Sequence, residues 1–324
     1  MKLKVSVALA LLLGLSGAAH AQSVTLRYGH VFAPDNTNHQ LALKFAEIVK
    51  EKSNGDIAVK VFPSSSLGTD QQLINLAQAG SIDFAAAGAA SFSGLVPDLN
   101  ALEVPFSFQN SEHAHHVLDG EIGKGLLAQF DGHQLRGMTF SDIGWRALSN
   151  SVKPINTPED VKGLKVRTNN SPYVIKTFEV LGANPTPMAI AEVYTALESR
   201  AIDAQENPLP IYVSLKFEEV QKYLTLTNHA FTAGVVVMSK KSFEKLSPEQ
   251  QKIVSDSMAE AATYQRQAFA EQEKSILEAV RNAGVEVNEK PDMEAFRKLV
   301  KPAVDEAFAA KNGKELLEAI EAAK

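Results

Sequence analysis

Strands and helices alternate along the first part of this sequence, and that order limits the possible folds more than any other feature. A short β-like run at 26–31 and an alternating run at 57–61 each predict a strand. Between them, helical spacing places four apolar residues on one face: Leu41, Phe45, Ile48 and Val49. A capping box, Thr69 to Gln72, begins a second helix, and 82–87 predicts a buried strand. The β-α-β-α-β order predicts a mostly parallel sheet covered by helices.

A second unit of the same kind begins near Trp145. Its predicted elements are a short helix from Thr157, a strand at 164–167, helices at 172–181 and 193–197, and a strand at 202–204. A mature length of about 300 residues suits two domains better than one. Two α/β units leave a cleft between them, where small-molecule sites tend to lie.

The longest predicted helix covers about 248–283. A capping box from Ser247 to Gln250 begins it, and neither Gly nor Pro recurs until Gly284. At 1.5 Å per residue the helix would be about 50 Å long. One apolar stripe runs along it: Val254, Met258, Ala261, Phe269, Ile276, Leu277 and Val280. A coiled-coil arm is the alternative, but the stripe is alanine-rich and lacks a strict heptad, which favours a strut packed along both domains.

The amino-terminal residues have the three parts of a secretory signal peptide. Lys2 and Lys4 precede an apolar run at 5–15, and small residues end at Ala21. This run is too short for a membrane anchor, so we expect cleavage after Ala21 and export to the periplasm without membrane insertion. The chain has no cysteine, which excludes disulfides, thiolate metal sites and a cysteine nucleophile.

The charge of the chain limits its partners. The net charge of −6 becomes −8 once Lys2 and Lys4 are removed with the leader. Such an acidic protein is a poor candidate for binding nucleic acid or anionic lipid. An anionic ligand would therefore depend on a few local cations.

Two arginines are the first candidates for that role. Arg167 ends an apolar strand and precedes a polar loop that contains Asn169. Ligands of open α/β sheets bind at the carboxyl ends of strands, and the planar guanidinium can grip a carboxylate with two hydrogen bonds. Arg146, beside the single tryptophan Trp145, is the second candidate.

Several motifs resemble the TRAP transporter solute-binding proteins of the DctP type. The motifs lie at 62–68, 80–84, 182–188, 192–197, 203–209 and 219–224, and the run from Lys162 to Pro208 is the most specific. The resemblance implies a two-domain periplasmic binding protein fold that closes on its ligand like a flytrap, with a long helix spanning both domains. It also implies transport rather than catalysis, membrane permease subunits as partners, no cofactor or metal, and a monomer.

The resemblance also assigns domains and residues. The first domain would comprise 22–144 with about 233–273, and the second 145–232 with about 274–324. The carboxylate-clamping arginine of the family falls on Arg167, its second ligand-site arginine on Arg146, and its ligand-facing asparagine on Asn207. The glutamate and arginine of sialic-acid-binding members are replaced by Gly88 and Ser91, which disfavours sialic acid. Ile190 stands where many members have an aromatic residue, which weakens stacking on a sugar ring.

Polar residues in loops of the first domain complete the predicted site. The candidates are His30, Asn38, Asp70, Gln71, Gly88 and Ser91. Such residues are also common as helix caps, and the helix dipole alone could account for Asp70. Several hydroxyl partners beside one carboxylate clamp would suit a sugar acid, such as a hexuronate or an aldonate. A four-carbon dicarboxylate or a keto acid is the alternative.

Other functional classes have less support from the sequence. Glu112, His113, His115 and His116 could suggest zinc, but a polar helix face explains them. H-E-x-x-H, G-x-S-x-G, G-x-G-x-x-G and Walker motifs are absent. A secreted hydrolase of acidic sugars would need two facing carboxylates, and the sequence identifies no such pair. A sensor subunit would share the binding chemistry and differ only in its membrane partner.

Overall fold

The computed structural model describes residues 24–323 as a mixed α/β protein, and the predicted leader at 1–21 lies outside the described residues. Ten strands carry the sheets: β1 Val24–His30, β2 Ile57–Phe62, β3 Phe84–Gly88, β4 Leu135–Asn150, β5 Lys165–Thr168, β6 Asn184–Pro187, β7 Ala204–Pro208, β8 Tyr223–Thr225, β9 Phe231–Ser239 and β10 Glu286–Asn288.

Helices cover these sheets. The α-helices are α1 Thr37–Lys52, α2 Asp70–Ala79, α3 Ser111–Asp119, α4 Glu121–Ala128, α5 Pro172–Val180, α6 Val193–Glu198, α7 Leu209–Ser214, α8 Lys240–Glu244, α9 Pro248–Asn282, α10 Met293–Asn312 and α11 Glu315–Ala322. Short 3₁₀ helices lie at Ala89–Phe92, Pro97–Glu103, Gln129–His133, Pro158–Val161, Ile190–Glu192 and Phe217–Glu219.

The strands form two sheets that share β4. In the first sheet the order is β2-β1-β3-β9-β4, with β1 parallel to β2 and β3, and β9 antiparallel to β3 and β4. In the second, β4 continues beside antiparallel β7, which leads to parallel β5 and β6. The sheets are therefore mixed, because the long strands β4 and β9 insert antiparallel pairs into the parallel order predicted from the sequence.

Strand β4 changes its neighbour where it passes from one sheet to the other. Its pairing with β9 ends at Trp145, and its pairing with β7 begins at Arg146. A register shift at Asp142 and Gly144 bends the strand at this point, and Gly144 has the positive φ of +118°. This change of neighbour falls between Trp145 and Arg146, one residue after the predicted domain boundary at 144/145. The domain ranges themselves stay a prediction.

The long helix α9 packs along both sheets. Near its start, Val254, Met258 and Ala261 are buried in the core under the first sheet. Near its end, Ile276 and Val280 are buried in the core of the second unit. The predicted helix at 248–283 is confirmed, and its stripe is the surface that joins the two units.

Strand β7 differs most from its prediction. The sequence predicts a strand at 202–204, whereas the strand begins at Ala204 and runs to Pro208. Gln205, Glu206 and Asn207 are polar but buried, because other side chains satisfy them. A hydrophobic pattern alone cannot identify such a strand.

Candidate functional site

A cleft opens where strands from both sheets end. The residues that follow β1, β3, β5 and β6 meet there, which is the edge where open α/β sheets bind ligands. Its outer part encloses about 840 Å³, including open solvent. Seven residues line both the outer part and a deeper part: Val31, Asp70, Ala90, Ser91, Arg167, Asn169 and Ile190. The two parts therefore form one continuous cavity.

Arg167 projects into this cavity from the end of β5. Its side chain is only 4% exposed, and Nε and Nη2 donate to the Met188 carbonyl oxygen at 3.1 and 2.7 Å. Within residues 24–323, no carboxylate lies within salt-bridge distance of this guanidinium. Burial lowers the pKa of Arg167 to about 10, so the group stays protonated at neutral pH. Arg167 is a buried cation whose charge no contacting acid balances.

Arg146 lies deeper and is held by an acid of the same sheet. Its Nη2 donates to Glu206 Oε1 at 2.7 Å, its Nε pairs with Glu206 Oε2, and its Nη1 donates to the Thr232 hydroxyl at 2.8 Å. Burial alone would lower the pKa of Arg146, but the charge of Glu206 outweighs it and the pKa is raised. Arg146 is therefore part of a closed ion pair.

Glu206 is the carboxylate that balances the buried charge of Arg146. It is fully buried and also lies 3.3 Å from His229 Nε2. Burial raises its pKa, but the charge of Arg146 and the hydrogen bonds from His229 and Arg146 together lower it to about 2. The buried pair is thus ionised on both sides.

Two asparagines lie beside the arginines. Asn207, 6% exposed, donates to Gln205 Oε1 at 2.7 Å, and its Oδ1 is 3.4 Å from Arg146 Nη2. Asn169 donates to Glu103 Oε2 at 3.2 Å and accepts from the Ser171 amide. Both side chains line the deeper part of the cavity, where they can contact a bound molecule.

The opposite wall carries the first-domain candidates. Asp70 begins α2, and its Oδ2 accepts a hydrogen bond from Ser91 at 3.0 Å. Burial raises the pKa of Asp70 to about 6, although the hydrogen bond from Ser91 and the charge of Arg167 oppose this rise. Gln71 lines the outer part and bonds Asn75, while Gly88 lines the deeper part.

His30 and Asn38 lie behind the cavity wall. His30 is fully buried, and its Nε2 is 3.1 Å from His39 Nδ1. Asn38 donates to the Asp142 carbonyl and accepts from Ser141 at 2.7 Å. Neither is among the residues that line the cavity, whereas the other eight predicted site residues are. His30 ends β1 and Asn38 lies in the first turn of α1, so neither is in a loop as predicted. Their contacts link α1 to β1 and to β4.

The structure adds residues that the sequence did not single out as ligand contacts. Glu103 and Thr232 line the deeper part beside Arg146. Glu103 does carry a signal in the sequence, because it is the single charge within the otherwise apolar run 101–106, and such a charge can mark a functional position. Thr232 has no such signal, because its role depends on β9 lying beside Arg146.

The histidines near residue 113 are separate from one another. His113 Nε2 is 2.8 Å from the Ile320 carbonyl, and His115 Nε2 is 2.8 Å from Asp142 Oδ2. Among residues 24–323, no group of three or more His, Asp or Glu side chains is arranged to hold a metal ion. No helix in the same part of the chain has the length and apolar character needed to span a bilayer.

Comparisons with known proteins converge on one family. The family model described as "Bacterial extracellular solute-binding protein, family 7" matches residues 28–311. The 2,3-diketo-L-gulonate-binding periplasmic protein YiaO of Escherichia coli K12 is 43% identical over 299 residues, covering 92% of this chain and 91% of YiaO.

Solved structures give the same result. The sugar acid-binding protein DctPAm of Advenella mimigardefordensis, in complex with galactonate, superposes with a TM-score of 0.90 at 35% identity, covering 93% of this chain and 98% of that chain. A TRAP periplasmic solute-binding protein of Sulfurospirillum deleyianum with bound succinate gives a TM-score of 0.89 at 30% identity, covering 93% and 99%.

Proposed function

Because the chain belongs to family 7 of the bacterial extracellular solute-binding proteins, we propose that it captures a sugar acid through Arg167 for a TRAP transporter. Proteins of this family are periplasmic, bind small carboxylates and work with membrane permease components; they are not enzymes. The hydrolase alternative is therefore rejected. Beyond the family, we propose the class of ligand, the residues that bind it and cleavage of the leader after Ala21.

The observation that carries the proposal is the unbalanced charge of Arg167. A buried guanidinium without an acid partner is costly, and a ligand carboxylate would offset that cost with charge-assisted hydrogen bonds. Nη1 has no hydrogen bond to the described residues, and Arg167 lines both parts of the cavity. The carboxylate would be met by Arg167, with Asn169 and Asn207 beside it.

The rest of the cavity supports a hydroxylated acid. Four other lining residues offer hydrogen-bonding groups to a ligand: Asp70, Gln71, Ser91 and Glu103. Hydroxyl groups both donate and accept, so a sugar acid such as a hexuronate or an aldonate could engage several of them. The similarity to YiaO, named as a 2,3-diketo-L-gulonate-binding protein, and to the galactonate-bound DctPAm also supports a sugar acid as the ligand.

A four-carbon dicarboxylate is the second candidate. The relative with bound succinate has the same fold, which supports this class, and Arg146 is a second cation in the cavity. We favour the sugar acid because Arg146 is already paired with Glu206 and offers little charge to a second carboxylate.

A thermal-shift screen of the mature protein tests the proposal. The panel is D-galactonate, D-glucuronate, D-galacturonate, 2,3-diketo-L-gulonate, succinate, malate and pyruvate. A ligand present at one hundred times its Kd adds about 2.7 kcal/mol of stability, which is easily measured. We expect stabilisation by one or more of the sugar acids and none in Arg167→Ala. A response to succinate or malate alone would replace the sugar acid with the dicarboxylate.

A further inference from the structure

Glu103 is a buried carboxylate with one oxygen that the protein does not satisfy. It ends the 3₁₀ helix Pro97–Glu103 and is fully buried. Its Oε2 accepts from Asn169 at 3.2 Å, whereas Oε1 has no hydrogen-bond partner among residues 24–323. Leaving a buried charged oxygen without a donor costs more than a typical hydrogen bond contributes. A donor from outside the chain would relieve this cost.

The position of Glu103 indicates where that donor comes from. The side chain lines the deeper part of the cavity together with Arg146, Arg167 and Asn207. Asp70 also lines this part of the cavity, and its Oδ1 is likewise buried without a hydrogen-bond partner among residues 24–323. The cavity therefore contains one cation without a contacting acid and two incompletely bonded carboxylates.

The protonation behaviour of the two carboxyl groups agrees with this description. Burial raises the pKa of Glu103, while the charge of Arg146 and the hydrogen bond from Asn169 oppose the shift. The pKa of Asp70 is raised by burial as well. Each carboxylate receives too few donors from the protein to offset its burial, and a ligand hydroxyl would supply one.

We propose that Glu103 is a specificity-determining residue: Oε1 accepts a hydrogen bond from a hydroxyl of the bound acid, and the carboxylate repels any second carboxylate. Asp70 acts in the same way. This inference rests on the proposed function, since it assumes that Arg167 holds the first carboxylate. It assigns the choice between hydroxylated monocarboxylates and dicarboxylates to Glu103 and Asp70.

A purely structural role for Glu103 would have a different consequence. The bond from Asn169 uses only Oε2, and a glutamine oxygen can accept it equally well. Glu103→Gln therefore keeps this contact but replaces the free oxygen with an amide group that donates. Any change in ligand preference would then come from the lost acceptor and charge, and not from the bond to Asn169.

The test uses two acids that differ at one end. D-galactonate ends in a hydroxymethyl group, and D-galactarate carries a second carboxylate in its place. Kd values for both are measured by calorimetry on the wild type, Glu103→Gln and Asp70→Asn, with thermal unfolding as the check of folding. Glu218→Gln is the matched control, because Glu218 also has a buried oxygen without a partner among residues 24–323, although its side chain is only half-buried, and it lies outside the cavity.

We expect the wild type to prefer galactonate. In Glu103→Gln the Kd for galactonate should rise about tenfold or more, as expected for a lost hydrogen bond to a charged group, and the Kd for galactarate should fall. Asp70→Asn should shift the ratio of the two Kd values in the same direction, and Glu218→Gln should leave it unchanged.

Two other results would overturn the proposal in distinguishable ways. If galactonate binds the wild type but folded Glu103→Gln has the same Kd ratio, the selective role of Glu103 is wrong while the proposed function stands. If the wild type binds galactarate or succinate but none of the sugar monoacids, both the sugar-acid function and the selective role of Glu103 and Asp70 are wrong.

Discussion

Arg146 and Arg167 are both buried cations of the same cavity, but a carboxylate of the protein contacts only Arg146 among the described residues. Arg146 forms two contacts with the Glu206 carboxylate and one with Thr232. Among residues 24–323, the Arg167 side chain bonds only the Met188 carbonyl, and its neighbours in register on β6 and β7 are the neutral Thr186 and Gln205. Burial is nearly equal, at 3% and 4% exposed, so burial cannot distinguish the two roles.

The two arginines differ in what balances their charge. Glu206 of the protein balances Arg146, so we expect the loss of Arg146 to reduce mainly the stability of the fold. We propose that a ligand carboxylate balances Arg167, so the loss of Arg167 should reduce mainly the affinity for the ligand. Three measurements test this difference.

The largest effect is expected for Arg146→Ala. The substitution leaves the Glu206 carboxylate buried without its cation, which should lower the free energy of unfolding by about 3–5 kcal/mol. Urea denaturation at pH 7 measures the change. Adding Glu206→Gln to Arg146→Ala removes the isolated charge and should restore part of the loss. A double variant no more stable than Arg146→Ala would show that the ion pair is not what the fold depends on.

Arg167→Ala should have a comparable effect on binding instead. Removing the clamp should weaken sugar-acid binding by about 2–5 kcal/mol, or at least about thirtyfold in Kd, while the unfolding free energy stays constant or rises. Titration calorimetry and urea denaturation measure the two quantities. Arg281→Ala is the matched control, because Arg281 is an exposed arginine at the far end of α9. An unchanged Kd in Arg167→Ala would contradict the assignment.

The smallest expected effect is on the pH dependence of stability, through the Glu206 carboxylate that pairs with Arg146. The pKa of Glu206 is about 2 in the folded protein and about 4.5 in the unfolded chain. Its ionised form therefore contributes stability that is fully present above pH 4.5 and is lost as the pH falls towards 2. The advantage of the wild type over Glu206→Gln should shrink by about 2 kcal/mol between pH 7 and pH 3.

Asp70→Asn provides the opposite case for the same measurement. The pKa of Asp70 is raised from 3.8 to about 6, so its ionisation weakens the fold as the pH rises through this range. The wild type should lose stability relative to Asp70→Asn from pH 4 to pH 6. The unfolding free energy of the wild type relative to Glu206→Gln and relative to Asp70→Asn should therefore change with pH in opposite directions. If both differences changed with pH in the same direction, the two carboxylates would not differ as described.

Much of the fold and part of the site could be predicted from local patterns. The capped helix α9 was predicted within a residue of its bounds, because capping boxes and the spacing of Gly and Pro act over a few residues. The position of Arg167 at the end of a strand followed from the same kind of pattern. His30 and Asn38 were predicted in loops, but His30 ends β1 and Asn38 lies in the first turn of α1. Both are buried behind the cavity wall, where His39 and Ser141 satisfy them.

Local sequence patterns were enough to predict the alternation of strands and helices, the strut formed by α9 and the cation at the end of β5, because each depends on residues close together in the chain. Which charges are balanced follows only from the fold. Glu206 reaches Arg146 across 60 residues, and Asn169 reaches Glu103 across 66. Electrostatic balance depends on distances between groups that folding brings together, and those distances are absent from any local pattern.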